Sequence, residues 1–344
     1  MHNFKQAFKT TFCFLLTIAV ISFGLMEFYF RSTNYYYQDG DIREEFAGTI
    51  DYAISGASHG MRAFNAERIN ENLNVSSYNL CSSRMTMKGR YDILKEELAR
   101  NPIQTVVIEL SYDSMSRNRK EEGPEGDIYV LGRLNGISNR LKFFFSSFYL
   151  SEYPNMYYDT VSRGCYGVIC MLTGKLQLQQ ASTIRGYFPY SEPDQGVPEL
   201  TKELYDSDTF DTTVNDYNEE YLNKTLDLCE EYGTKVILVT TPLSEFTIYR
   251  CTNLDDFYHY YSDLARERNI EYYDFNLLKN KTELFHDQGS FYDEAHLNNA
   301  GAEAFSNVFC DIMTKADNGE DVSEYFYSSY QDRDEIRSAH LVSD

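Results

Sequence analysis

The 344-residue chain predicts an α/β fold, a parallel sheet of about five strands sandwiched by helices, behind one N-terminal transmembrane helix. Three features carry this. Strand and helix signals alternate with short links, two of the strands are nearly continuous β-branched runs, and a single charge-free apolar stretch stands at the N-terminus.

The first strand spans Thr49 to Ser55, followed by a polar helical stretch from Ala63 to Leu73 and a short strand at Ser76 to Leu80. Tyr91, Leu94 and Leu98 recur at helical spacing until Asn101-Pro102 stops that helix. Gln104 to Leu110 and Lys235 to Thr240 read as strands buried on both faces. Between them, Tyr221, Thr225 and Cys229 stripe a helix ended by Gly233. Phe257, Tyr261 and Leu264 mark the next helix, Ile270 to Asp274 the last strand, and Phe305, Val308 and Ile312 the last helix.

Lys5 and Lys9 precede Thr10 to Met26, a run without charge. A span needs ~20 mostly apolar residues, and the flanking positive charges favour a cytoplasmic N-terminus. No Ala-x-Ala cleavage site follows, so the expectation is an uncleaved single-pass anchor with the rest of the chain extracytoplasmic. The expected organisation is therefore an anchor over 1–31, a polar linker over 32–47, an α/β domain over 48–315, and an acidic tail over 316–344 that is partly disordered. A long insertion over 115–215 interrupts the domain. It begins polar at Arg117 to Pro124 and turns aromatic around Phe143-Phe144-Phe145, with a helical subdomain as the simplest reading.

A net charge of -22, from 53 acidic against 31 basic residues, argues against nucleic acid and against docking on anionic lipid through a basic patch. The seven cysteines match no zinc spacing, and no metal or cofactor is expected. Cys165 and Cys170 could pair locally, or remain buried thiols.

Chemistry concentrates in two places. Gly56-Ala57-Ser58-His59-Gly60 follows the first strand, where a serine can project from a tight turn. Far downstream, Asp293 and His296 form an Asp-x-x-His pair just before the last helix. A carboxylate three residues before an imidazole can fold back onto it, fix its tautomer and stabilise the imidazolium formed on proton transfer. Ser58, His296 and Asp293 are thus the expected triad, at strand ends where ligands of open α/β sheets bind. His59 directly follows the serine and is assigned to packing or substrate contact.

These blocks resemble the SGNH (GDSL-type) hydrolases, whose serine sits in an N-terminal Gly-Asp-Ser block and whose Asp-x-x-His closes the domain. Here alanine replaces the aspartate, at Ala57. The resemblance covers about residues 48 to 315, implies an SGNH-like (flavodoxin-like) sheet, and is nearer to membrane-anchored members that modify surface polymers, such as teichoic-acid D-alanine transfer and alginate O-acetylation proteins. It implies a surface polysaccharide or polymer as substrate and a membrane O-acyltransferase as partner.

A tetrahedral intermediate needs oxyanion donors. The family's second block usually supplies a glycine and its third an asparagine, but this chain has Tyr78 to Arg84 without glycine and Glu109-Leu110-Ser111-Tyr112-Asp113 without asparagine. Candidate substitutes are a backbone N–H of Cys81, Ser82 or Ser83 and the Tyr112 hydroxyl. Arg62 and Arg84, close in sequence to the two blocks, are candidates for binding a polyanion or the oxyanion. The expected activity is a serine esterase or O-acyltransferase. The competing reading is a degenerate scaffold that binds polymer or a partner without chemistry.

Overall fold

The computed structural model describes residues 2–33, 35–175, 183–190, 196–198 and 209–333. By its contacts the chain divides into two units. One is Met1–Ile42 with Leu131–Ala181, and the other is Arg43–Val130 with Ser182–Asp344.

The second unit holds the sheet. Strands β1 (Tyr52–Ser55), β2 (Ser77–Asn79), β3 (Thr105–Glu109), β4 (Lys235–Thr240) and β5 (Glu271–Asp274) pair in the order β2-β1-β3-β4-β5. Every pairing is parallel, with Ala53 opposite Tyr78 on one side and Val106 on the other. The order reverses between β1 and β3, which puts the end of β1 at the switch point of the sheet. Ile54, Val106, Val107, Leu238 and Val239 are fully buried, as strands covered on both faces require, each worth ~1.5–3 kcal/mol of transfer free energy.

The expected helical stretch from Ala63 to Leu73 forms a helix from Ala66 onward, and a further short helix precedes it. The six residues of α3 (Ser58–Ala63) follow β1 directly, and α4 (Ala66–Leu73) restarts where the Asn65 side chain accepts the N–H groups of Glu67 and Arg68. Asn is a favoured cap because it satisfies donors that the helix leaves open. Next, α5 (Met87–Leu98) precedes β3, and the short α6 (Tyr112–Ser116) and α7 (Arg119–Glu122) follow it. Beyond the insertion, α11 (Asp216–Glu231) leads to β4 through Gly233, whose φ of 67° suits glycine. Then come α12 (Glu245–Arg250) and α13 (Leu254–Arg268) before β5, and α14 (Lys281–Leu284), α15 (Asp287–Ser290) and the long α16 (Asn299–Asp317) after it.

The first unit is helical. In it, α1 (His2–Thr33) carries an apolar stretch at Phe4–Leu25 long enough to cross a membrane, and α10 (Tyr153–Leu172) packs along it. A side chain at Gly164 of α10 would meet Leu25 Cβ at 2.6 Å, so the close approach needs glycine there. Between them in sequence, α8 (Glu125–Arg133) leads to α9 (Ile137–Ser147). Phe143 and Phe148 are buried here, and the Phe144 ring stacks on Tyr153 at 5.1 Å.

Several expectations change. The insertion 115–215 is not one body: 131–181 belongs with the N-terminal helix, while its flanks belong with the sheet. The supposed linker 32–47 contains a helix, α2 (Tyr35–Glu44). Its charges are matched by partners distant in sequence, Asp39 by Arg133 at 2.6 Å and Arg43 by Glu97 at 3.0 Å, all of them buried. The tail packs as far as Arg333. Tyr330 buries its ring among Leu243, Ile248 and Leu277 and donates its hydroxyl to Asp274 Oδ2 at 2.9 Å, while residues 334–344 lie outside the description. None of the seven cysteines is joined in a disulfide. Cys165 and Cys170 lie five residues apart on α10, which turns their side chains roughly 140° away from each other.

Candidate active site

The turn after β1 is built on a buried ion pair that the sequence reading passed over. Glu109, the last residue of β3, accepts the Ala57 N–H through Oε2 at 2.8 Å. Arg90 of α5 lies 3.7 Å from the same oxygen and also donates to the Glu109 carbonyl. Both side chains are wholly buried. Burial pushes the Glu109 carboxyl up and the Arg90 guanidinium down, each offset by the charge of the other. Glycine at 56 is a steric requirement here, because a Cβ would sit 2.6 Å from Glu109 Oε2. At Gly60 a Cβ would meet Cys81 Sγ at 2.7 Å.

Ser58 therefore opens α3 at a fixed height above the sheet. As the first helical residue its N–H has no intrahelical acceptor. Its Oγ lies 2.9 Å from His296 Nε2.

The histidine is held by local turns. Asp293 Oδ1 accepts the N–H groups of Ala295 at 2.9 Å and His296 at 2.8 Å, and the imidazole Nδ1 lies 2.9 Å from each carboxylate oxygen. Tyr292 N–H donates to the His296 carbonyl at 2.8 Å, closing the loop. Burial raises the Asp293 pKa, but the hydrogen bond and charge of His296 and the two backbone donors outweigh it, bringing the carboxyl down to about 2. With the proton on Nδ1 shared with Asp293, Nε2 is left as acceptor for the serine hydroxyl.

His59 lies beside this arrangement, buried, its ring edge-on to His296 with centroids 5.0 Å apart. Burial first, and then the neighbouring His296, lower its pKa to about 3, so it is neutral at ordinary pH. Asp113 is close enough for its charge to act on both histidines, and Arg117 holds it with two contacts, at 2.6 and 3.0 Å.

Of the other residues singled out by sequence, Arg62 belongs to the site's wall. Its guanidinium lies 3.1 Å from the centroid of the Tyr190 ring, and Tyr190 stacks on Tyr292 at 3.8 Å. This sandwich joins α3, the 183–190 segment and the Asp293/His296 loop. The same segment donates from Phe188 N–H to Met61 and from Tyr187 Oη to Asn299.

Two of the four proposed donors are engaged elsewhere. The Cys81 N–H donates to Asn79 Oδ1 at 3.0 Å and the Ser82 N–H to the Gly56 carbonyl at 3.3 Å. The Ser83 N–H has no acceptor among the described residues, and the buried Ser82 hydroxyl has none either. Tyr112 lies with its ring tilted against Phe210, centroids 5.7 Å apart, and packs against the Leu243 cluster. Arg84 is exposed and paired with Glu125 at 2.6 Å, an ordinary surface contact. Among the described residues no group of three His, Cys, Asp or Glu is placed to hold a metal ion.

Asn79, Glu109 and Arg90 are the residues that sequence reasoning missed. Asn79 is fully buried and donates to the Gly60 and Phe64 carbonyls, both at 3.0 Å, tying the second strand to α3. A glutamate ending an otherwise apolar, doubly buried strand was the available signal for Glu109.

No family model matches the chain. One curated relative, the ribosome maturation factor RimM of Kosmotoga olearia, is 32% identical over 90 residues, which is 26% of this chain. The chain spans 45% of that protein's length. Among solved structures, the chain is similar to a protein assigned as an acylhydrolase from Bacteroides fragilis, at 11% identity and TM-score 0.39, covering 80% of this chain and 94% of that one. It is also similar to a GDSL-like lipase from Bacteroides thetaiotaomicron, at 10% identity and TM-score 0.35, covering 77% and 88%.

Proposed function

We propose that the protein is a membrane-anchored extracytoplasmic serine enzyme, an esterase or O-acyltransferase that acts on a surface polysaccharide or teichoic-acid-like polymer. The observation that carries this is the unbroken line from Ser58 Oγ through His296 to Asp293, with 2.9 Å at each step. Ser58 attacks the acyl carbonyl while His296 Nε2 takes its proton. Asp293 orients the ring and stabilises the imidazolium, and the proton returns to the leaving group. The Ser58 N–H, with the Ser83 N–H or the Ser82 hydroxyl, receives the oxyanion. The acyl group then passes to a sugar hydroxyl or to water, and a membrane O-acyltransferase is the proposed donor partner.

A serine-directed fluorophosphonate tests the chemistry, because tetrahedral phosphorus engages the same groups as an acyl intermediate. Wild-type protein is expected to be labelled at Ser58, Ser58→Ala to be unlabelled, and His296→Ala to be labelled far more slowly. Folded wild-type protein that resists labelling would sink the enzymatic reading. The scaffold reading, which the occupied N–H groups of Cys81 and Ser82 favour, would then hold. Protease added to intact cells should cut the chain beyond Arg31, and full protection would contradict the orientation.

A further inference from the structure

Two apolar stripes in the helical unit are exposed among the described residues. On α9, Ile137, Leu141 and Phe145 recur every four residues and are exposed. On α10, Tyr158, Cys165, Tyr166, Ile169 and Leu172 form a second exposed stripe, roughly 20 Å long at 1.5 Å per residue. The opposite side of α10, through Gly164 and Gly167, is buried, and at Gly164 it packs against α1. Exposed apolar surface on this scale marks an interaction site.

A cavity of ≈ 360 Å³ lies among α1, α9 and α10, lined by Ala19, Phe23, Ile137, Leu141, Phe144 and Met156 among others. Polar groups in its wall answer one another. Arg140 NH1 pairs with Glu27 Oε1 at 2.6 Å, and the Ser22 hydroxyl donates to Tyr157 Oη at 3.2 Å. What remains on offer is apolar.

We propose that α9 and α10 lie in the headgroup–acyl boundary of the outer leaflet and that the cavity takes one acyl chain of a bilayer lipid. The proposal rests on the membrane-anchored reading of α1. Continuity argues for lipid as the occupant, because the cavity is walled by Ala19 to Glu27 and Phe4–Leu25 is the apolar stretch. With the N-terminus cytoplasmic, those wall residues occupy the outer end of the span. Charge sets the depth. Asp159 and Arg163 are exposed but lie roughly 100–140° around α10 from its stripe, and Lys142 flanks the α9 stripe. Such a pair lies in the interface plane, about 5–10 Å deep, rather than crossing the bilayer. Two interfacial helices beside one span would fix the helical unit against the membrane surface.

The chain has no tryptophan, so single substitutions report without background. Full-length Phe145→Trp, Ile169→Trp, Phe144→Trp in the cavity wall, Phe12→Trp in α1 and Tyr232→Trp on the sheet-bearing unit are reconstituted separately in phosphatidylcholine vesicles brominated near the headgroup or near mid-chain. The expected result is roughly twofold or greater quenching of Phe145→Trp and Ile169→Trp by the shallow bromines. Phe144→Trp should be quenched by bromines along the chain, Phe12→Trp most by the deep ones, and Tyr232→Trp by neither. If Phe12→Trp is quenched while Phe145→Trp and Ile169→Trp behave like Tyr232→Trp, the interfacial proposal is overturned, the anchor stands, and the stripes face water or a protein. If Phe144→Trp alone escapes, the acyl-chain occupant is overturned. If Phe12→Trp is itself unquenched, the anchor reading fails and takes the proposal with it.

Discussion

Ser58 leaves the end of a buried strand, above an ion pair with no exposure to solvent, whereas His296 sits on a loop whose side chains are about a quarter exposed. The serine arm is positioned by tertiary structure: β1 between two neighbours, Glu109 on the Ala57 N–H, and Asn79 on the carbonyls of α3. The histidine arm is positioned by residues near it in sequence, Tyr292 to His296, and is tied to the other arm through Tyr190 and Arg62. One arm is fixed by low dielectric and packing, the other by short-range hydrogen bonds. Perturbing the first should therefore cost stability, and perturbing the second should cost rate.

The largest expected effect is on rate. Asp293→Asn keeps the turn's size but removes the charge that fixes the His296 tautomer, so fluorophosphonate labelling should slow by up to ~10⁴-fold, the scale for such a change in a Ser-His-Asp triad. Urea unfolding at neutral pH should shift little by comparison. A variant that labels normally would break the proposed division of roles.

On the serine side, Glu109→Ala strands the buried Arg90 and frees the Ala57 N–H, and should lower unfolding free energy by about 3–5 kcal/mol. Glu109→Gln keeps the acceptor and should lose less. Urea melts of both variants give the ordering.

His59 probes the same buried region through pH. Its pKa is 6.5 in an unfolded chain and about 3 in the fold, so the unfolded state binds the extra proton between those values. Its favourable contribution is complete above pH 6.5 and is lost as pH falls toward 3, about 2–3 kcal/mol by a pH of about 4.5. His59→Asn should flatten that part of the stability curve measured by urea melts across pH, and an unchanged slope would refute the assignment.

Smaller effects belong to the wall. Tyr190→Ala removes the stack between the arms and should cost about 1 kcal/mol while slowing labelling modestly. Arg84→Ala, at an exposed pair, should change stability by less than about 1 kcal/mol and leave labelling alone. A strong labelling defect in Arg84→Ala would restore that residue to the site.

All five strands, and the triad candidates at their ends, were legible because both signals are local. A β-branched run such as Val106 to Ile108 announces burial on two faces, and Asp293 and His296 lie three residues apart. What stayed hidden depends on partners distant in sequence. Asp39 and Arg43 read as solvated linker charges because Arg133 and Glu97 lie 94 and 54 positions away. Tyr330 reads as part of an acidic tail until Asp274 accepts its hydroxyl.

By itself, then, the sequence determined the alternating elements, the apolar N-terminal helix and the two chemical blocks, since periodicity, hydropathy and short spacings are written in consecutive residues. Only the tertiary structure decided that Ser58 and His296, 238 positions apart, close to a 2.9 Å contact. It also decided which donors beside Ser58 are already engaged, and that Glu109 rather than residue 57 supplies the carboxylate under the turn. Hydrogen bonds and buried charges are satisfied by whichever group the fold brings within reach, and that reach is set by the order of strands in the sheet.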